Sequence, residues 1–174
     1  YIFFVFFEKQ RFLNKSGFIF IMPPKEPLKA TFTEGRVLIA KSETPNALYD
    51  KGCFGVMLSG GGLHLSLLEA LYLVEKKSIL VFDGRNKQVE IEQFIKKAKK
   101  YEPNFWVRYR VFRDLRKRGY IIKTALKFGA DFRVYDRGIK PGEDHARWVI
   151  YPVKEGGVLT WHEFAAKNRV AHST

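Results

Sequence analysis

The sequence predicts an α+β fold in two parts, and three observations carry that prediction. Up to about residue 102, short apolar strand-like runs are interleaved with segments of helical periodicity. Pro103 then marks a restart. After it come one helix, three strand candidates and a second helix. Hydrophobic residues make up 46% and charged residues 28% of the 174, ordinary globular usage that excludes a mostly disordered chain.

Residues 28–41 read as a hairpin, LKATF and RVLIA about a turn at Glu34-Gly35. TPNALYDKG carries a proline near a helix start and a glycine at its end, predicting a short helix that stops near Gly52. CFGVML is a strand candidate and SGGGLHL a glycine-rich loop. Ser66-Leu67-Leu68-Glu69 is a capping box opening the helix SLLEALYLVEKK. ILVF is a short buried strand ended by the Asp83-Gly84 turn. VEIEQFIKKAKKYE follows as an amphipathic helix, with Lys96, Lys97, Lys99 and Lys100 on its solvated face.

In NFWVRYRVFRDLRKRG, Phe105, Val107 or Tyr109, Phe112 and Leu115 share one face. Arg108, Arg110, Arg113, Arg116, Lys117 and Arg118 take the rest, and Gly119 caps the end. YIIKTA, ADFRVYD and ARWVIYPV are strand candidates, with GIKPGED as the loop between the last two. Thr160-Trp161-His162-Glu163 is a second capping box, opening WHEFAAKNRVAH. A helix after antiparallel strands normally returns to a sheet; that strand would follow Thr174. The predicted domains are therefore residues 22–102 and 103–174. Residues 1–21, whose aromatic runs YIFFVFF and FIFI lack turn or signal-peptide logic, read as a non-native segment upstream of Met22; the alternative is an extra hydrophobic strand or helix.

Lysine and arginine total 31 against 18 acids, a net charge of +13 that favours a polyanionic partner, nucleic acid or an anionic membrane surface. The lone Cys53 excludes a disulfide framework and a thiolate zinc cluster and fits a reducing cytoplasm. No apolar run reaches the roughly 18 residues of a membrane span. Gly60-Gly61-Gly62 runs into Leu63-His64-Leu65, without the lysine and hydroxyl residue of a P-loop, so it reads as a flexible loop. His64, His145, His162 and His172 stand at no metal-ligand spacing, and no metal or other cofactor is expected.

One constellation suggests chemistry: the run Tyr135-Asp136-Arg137-Gly138 to His145, in which a tyrosine ends a strand and a histidine enters the next across a glycine/proline loop. A tyrosine with its ordinary pKa of about 10 is a poor base at neutral pH, and surrounding cations improve it. A histidine titrating near about 6.5 can protonate a leaving oxygen. The pair suits attack by a ribose hydroxyl on its adjacent phosphodiester, which needs no metal. Surface side chains at a strand end are the plain alternative.

From about Leu28 to Thr174 the chain resembles the archaeal tRNA-intron (splicing) endonuclease family, short-subunit type. The N-terminal half matches through ALYDKGCFG and LSLLEALYLVEK. The C-terminal half matches through VFRDLRKRGY, LKFGADFRVYDRG, PGEDHARWVIYPV and NRVAHS. The resemblance implies a small N-terminal α+β domain and a mixed α/β, restriction-endonuclease-like catalytic domain. It implies metal-independent cleavage of precursor tRNA at a bulge–helix–bulge, leaving 2′,3′-cyclic phosphate and 5′-hydroxyl ends. The family's catalytic tyrosine falls on Tyr135 and its histidine on His145, while Arg169 matches an arginine that grips a bulged nucleotide. The third catalytic residue, a lysine, is expected about two positions after Thr174, together with the closing strands. Residues 1–174 alone are therefore expected to be nearly inactive and prone to associate.

The resemblance also implies a cytoplasmic enzyme that self-associates, as a homotetramer first and a homodimer second, without a membrane. The arginine-rich helix 105–118 and the lysines of 96–100 are candidate phosphate contacts. Two other readings stay open: a non-catalytic structural subunit of the same endonuclease, and a basic RNA-binding module without chemistry.

Overall fold

The computed structural model describes residues 3–7, 26–43, 45–124, 130–154 and 156–173. The sequence readings on residues 8–25, Met22 included, and on Thr174 lie outside them, as do the side chains of residues 3–7 and 170–173. In chain order the elements are β1 (Phe3–Phe7), β2 (Leu28–Thr33), β3 (Arg36–Ile39), α1 (Asn46–Gly52), β4 (Val56–Met57), β5 (Leu63–Leu65), α2 (Leu67–Glu75) and β6 (Ile79–Phe82). Then follow α3 (Ile91–Tyr101), α4 (Phe105–Lys117), β7 (Ile121–Thr124), β8 (Phe132–Tyr135), β9 (Trp148–Pro152) and α5 (Trp161–Ser173). The fold is α+β, in two compact units: residues 20–109, and residues 1–19 with 110–174.

The first unit is built on a five-stranded sheet of order β4-β5-β3-β2-β6. The hairpin forms as its turn predicts, with Thr33 opposite Arg36 and both Glu34 and Gly35 at positive φ. In β2 the alternation is regular: Ala30 and Phe32 are buried, while Lys29, Thr31 and Thr33 are exposed. That places one face of the sheet on a core. Phe94 of α3 meets the Phe32 ring edge-on, with centroids 5.6 Å apart, and Phe54 stacks on Tyr72 of α2 at 5.9 Å. Two sequence readings are corrected here. CFGVML is not one strand: Cys53 (φ 51°) and Gly55 (φ 67°) are left-handed, which leaves only Val56 and Met57 extended. The end of SGGGLHL is not loop, because Leu63–Leu65 inserts between β4 and β3 with both leucines fully buried. The two short strands have no clear sequence periodicity because they are set by their partners.

The second unit carries a four-stranded, wholly antiparallel sheet of order β1-β9-β8-β7. The aromatic run that opens the chain contains a strand, Phe3–Phe7, running antiparallel along β9 with Val5 opposite Ile150. α4 ends as its glycine predicts: Gly119 (φ 88°) donates to the Arg116 carbonyl and Tyr120 to that of Leu115, a Schellman closure. Cross-strand partners share a face, so Phe132, Val134, Trp148 and Ile150 lie on one side of this sheet and Arg133, Tyr135, Val149 and Tyr151 on the other. Phe112 of α4 packs on Phe132, with centroids 6.2 Å apart. The Lys167 ammonium of α5 sits 4.4 Å from the centre of the Tyr151 ring. The two helices therefore cover opposite faces, and Tyr135 points to the α5 side.

The arginines of α4 do not all reach solvent. Arg110, Lys117 and Arg118 are exposed, but Arg108 pairs with Glu102, and Arg116 is only 9% exposed with its guanidinium over the Phe112 ring. A long arginine stem gains by lying on apolar surface, so equal polarity at the sequence level does not mean equal exposure. Among the described residues, no helix is long and apolar enough to cross a membrane.

Candidate active site

Tyr135 is the last residue of β8, paired with Ile121 of β7. It is 4% exposed. From there the chain leaves the sheet through residues 136–146 and returns when the Arg147 N–H donates to the Val134 carbonyl, 2.9 Å away. His145 stands on this returning arm and is exposed, its own N–H donating to Asp144 Oδ1 at 2.7 Å. Main chain at positive φ shapes the excursion at Gly138 (79°) and Gly142 (99°), where a side chain would be strained. Within it, Ile139 N–H donates to the Asp136 carbonyl, and Lys140 N–H to Glu143 Oε2.

The two residues picked out in the sequence thus flank one loop at the open end of the sheet, the phenol on a buried ring and the imidazole in solvent. Arg169 is exposed on α5, two residues beyond Lys167, whose ammonium lies over the Tyr151 ring. Tyr151 is the other tyrosine on the Tyr135 side of the sheet among the described residues. Burial pushes its phenol above the usual value, and the nearby Asp131 carboxylate adds to the effect.

Sequence reasoning missed the residues that close the loop. Arg147 Nη1 lies 2.5 Å from Asp136 Oδ2, joining the two arms. The Arg147 guanidinium also rests 5.1 Å from the Trp148 ring centre, and that of Arg137 5.3 Å from the ring of Tyr120. Tyr120 and Trp148 meet edge-to-face, with centroids 5.3 Å apart. The available signal was the placement of opposite charges just outside the tyrosine and just beyond the histidine. Among the described residues, no group of three or more His, Cys, Asp and Glu side chains is arranged to hold a metal.

Two family models match the chain: the tRNA intron endonuclease N-terminal domain over residues 28–95, and its catalytic C-terminal domain over residues 105–174. The chain belongs to the tRNA intron endonuclease family. Among its relatives, the tRNA-splicing endonuclease of Thermococcus onnurineus is 39% identical over 148 residues, covering 85% of this chain and 84% of that protein. That of Thermococcus kodakarensis is 42% identical over 137 residues, 79% of each chain. The Nanoarchaeum equitans enzyme is 46% identical over 116 residues, 63% of this chain and 75% of its own length. The Tyr135–His145 loop falls inside the catalytic match, so this member of the family carries the enzymatic domain.

Proposed function

We propose that the protein excises introns from precursor tRNA at bulge–helix–bulge junctions by a metal-independent transesterification. Tyr135 takes the proton of the ribose 2′-hydroxyl. The 2′-oxygen bonds to the adjacent phosphorus, the bond from phosphorus to the 5′-oxygen breaks, and protonated His145 supplies the proton that the departing 5′-oxygen needs. The products are a 2′,3′-cyclic phosphate and a 5′-hydroxyl. The observation that carries this reading is the position of Tyr135 and His145 at the two arms of one loop inside the catalytic-domain match. Burial of the Tyr135 ring supports a preset phenol, and exposure of His145 supports access by an RNA backbone.

The chain supplies the cations for such a substrate: its net charge is +13, and Lys96, Lys99, Lys100, Arg110, Lys117 and Arg118 are exposed. Arg169 is assigned a contact with a bulged base by stacking. The domain reading is residues 22–102 for the N-terminal domain and 103–174 for the catalytic one. The protein is assigned to the cytoplasm, where the lone Cys53 stays a free thiol, as a subunit that assembles with copies of itself into a homotetramer.

The test is single-turnover cleavage of a bulge–helix–bulge RNA by the full-length protein, with enzyme in excess. Tyr135→Phe and His145→Ala should each slow cleavage by about a hundredfold or more while RNA binding persists. A 2′-deoxyribose at the cut site should bind and resist cleavage, and a chelator should leave the rate unchanged. Undiminished cleavage by both variants rules out these roles. RNA binding with no cleavage by the full-length protein would favour the binding module.

A further inference from the structure

The Asp136–Arg147 pair occupies a place that stability alone does not account for. Its side chains are 39% and 35% exposed, where an ion pair adds little to the folded state. Yet it joins the two arms of the loop at the neck, one residue after Tyr135 and two residues after His145. Asp136 is held on both sides of that contact: its Oδ1 accepts from the Arg137 N–H at 2.9 Å and its carbonyl from the Ile139 N–H at 3.2 Å. Arg147 is tied by its N–H to Val134 and by its guanidinium, over the Trp148 ring, to β9. Arg147 is thus anchored to β8 and β9 and Asp136 to the first turn of the loop, so the bridge ties the start of the loop to its returning arm.

We propose that Asp136 and Arg147 form a positioning latch that holds His145 in register with Tyr135. This inference rests on the catalytic roles proposed above. Proton transfers at two oxygens of one phosphodiester depend steeply on placement, since a shift of about 1 Å can cost a hundredfold in rate. The excursion turns through Gly138 and Gly142, and the Asp136–Arg147 bridge clasps its neck. The latch touches no reacting atom; it acts through the loop.

The experiment compares the full-length protein with its Asp136→Asn and Arg147→Glu variants and with the exchanged pair Asp136→Arg/Arg147→Asp. Single-turnover cleavage, RNA affinity and amide hydrogen exchange of residues 137–146 are measured on each. Each single variant is expected to slow cleavage about tenfold, to speed exchange in the loop alone, and to leave RNA affinity unchanged. The exchanged pair should recover most of both losses, which a phosphate contact by Arg147 would not produce. Unchanged loop exchange in the single variants, or no recovery in the exchanged pair, overturns the latch. Tyr135→Phe and His145→Ala are run alongside. If they abolish cleavage while the latch variants do not alter it, the latch fails and the catalytic roles stand. If they leave cleavage intact, the catalytic roles fail and the latch falls with them.

Discussion

Replacing Glu69 by glutamine tests whether a single buried carboxylate ties the first unit together. Glu69 is 6% exposed on α2. Its Oε1 accepts from the Gly55 N–H at 2.9 Å, and Oε2 accepts from the Ser66 N–H at 2.9 Å and the Ser66 hydroxyl at 2.8 Å. One side chain therefore serves both as the capping-box acid of its own helix and as the acceptor for a left-handed glycine remote in sequence. Glutamine keeps one oxygen. Whichever way the amide is turned, one of those two backbone N–H groups faces an NH₂ instead of an acceptor. A donor deprived of its partner in such a setting costs about 1–3 kcal/mol. Taking about 2 kcal/mol, the folded population relative to the unfolded should fall roughly 30-fold. Glu69→Ala deprives both N–H groups of this acceptor and should cost about twice as much. Urea unfolding followed by circular dichroism reads both values, with the denaturant slope expected to stay constant. A glutamine variant as stable as the parent, or an alanine variant no worse than the glutamine one, would refute the reasoning.

Gly55→Ala combines a φ of +67° with a new Cβ only 2.5 Å from the His64 carbonyl oxygen, so it should destabilise the chain by more than about 2 kcal/mol in the same urea assay. Glu163, at the start of α5, is held below its ordinary value of 4.5, mainly by the Thr160 N–H and then by the Thr160 hydroxyl. A carboxyl depressed in the folded state stabilises it fully above 4.5 and loses that contribution as pH falls through the folded value. Acid titration of tryptophan emission should therefore show α5 loosening below 4.5, and Glu163→Gln should abolish that transition. Lys96→Ala with Lys100→Ala should leave the fold intact, since both lysines are exposed on α3, and should flatten the salt dependence of RNA binding. The log–log slope should drop by about one for each lysine that pairs with a phosphate; an unchanged slope would exclude this face from RNA contact.

Helix boundaries and turns were legible because their causes lie within a few residues of one another. Ser66 with Glu69, Thr160 with Glu163, the Glu34-Gly35 turn and the Gly119 stop each close hydrogen bonds inside one short segment, and each appears as the residues predict. The candidate site was half legible. A tyrosine and a histidine flanking a glycine/proline loop stand out in a linear reading, whereas the Asp136–Arg147 bridge that joins the arms depends on β8 and β9 being neighbours.

The sequence by itself determined the order of most elements, the excess of positive charge and the loop on which the chemistry is proposed to reside. Only the tertiary structure decided that β2 lies parallel to β6, that Leu63–Leu65 completes a sheet, and that Phe3–Phe7 runs along β9. It also decided which arginines of α4 are spent on Glu102 and Phe112 and which remain in solvent. The physical reason is range. Caps and turns are satisfied by the next few residues, but a strand edge or an arginine stem takes whichever partner the rest of the chain brings to it, and no local pattern records that choice.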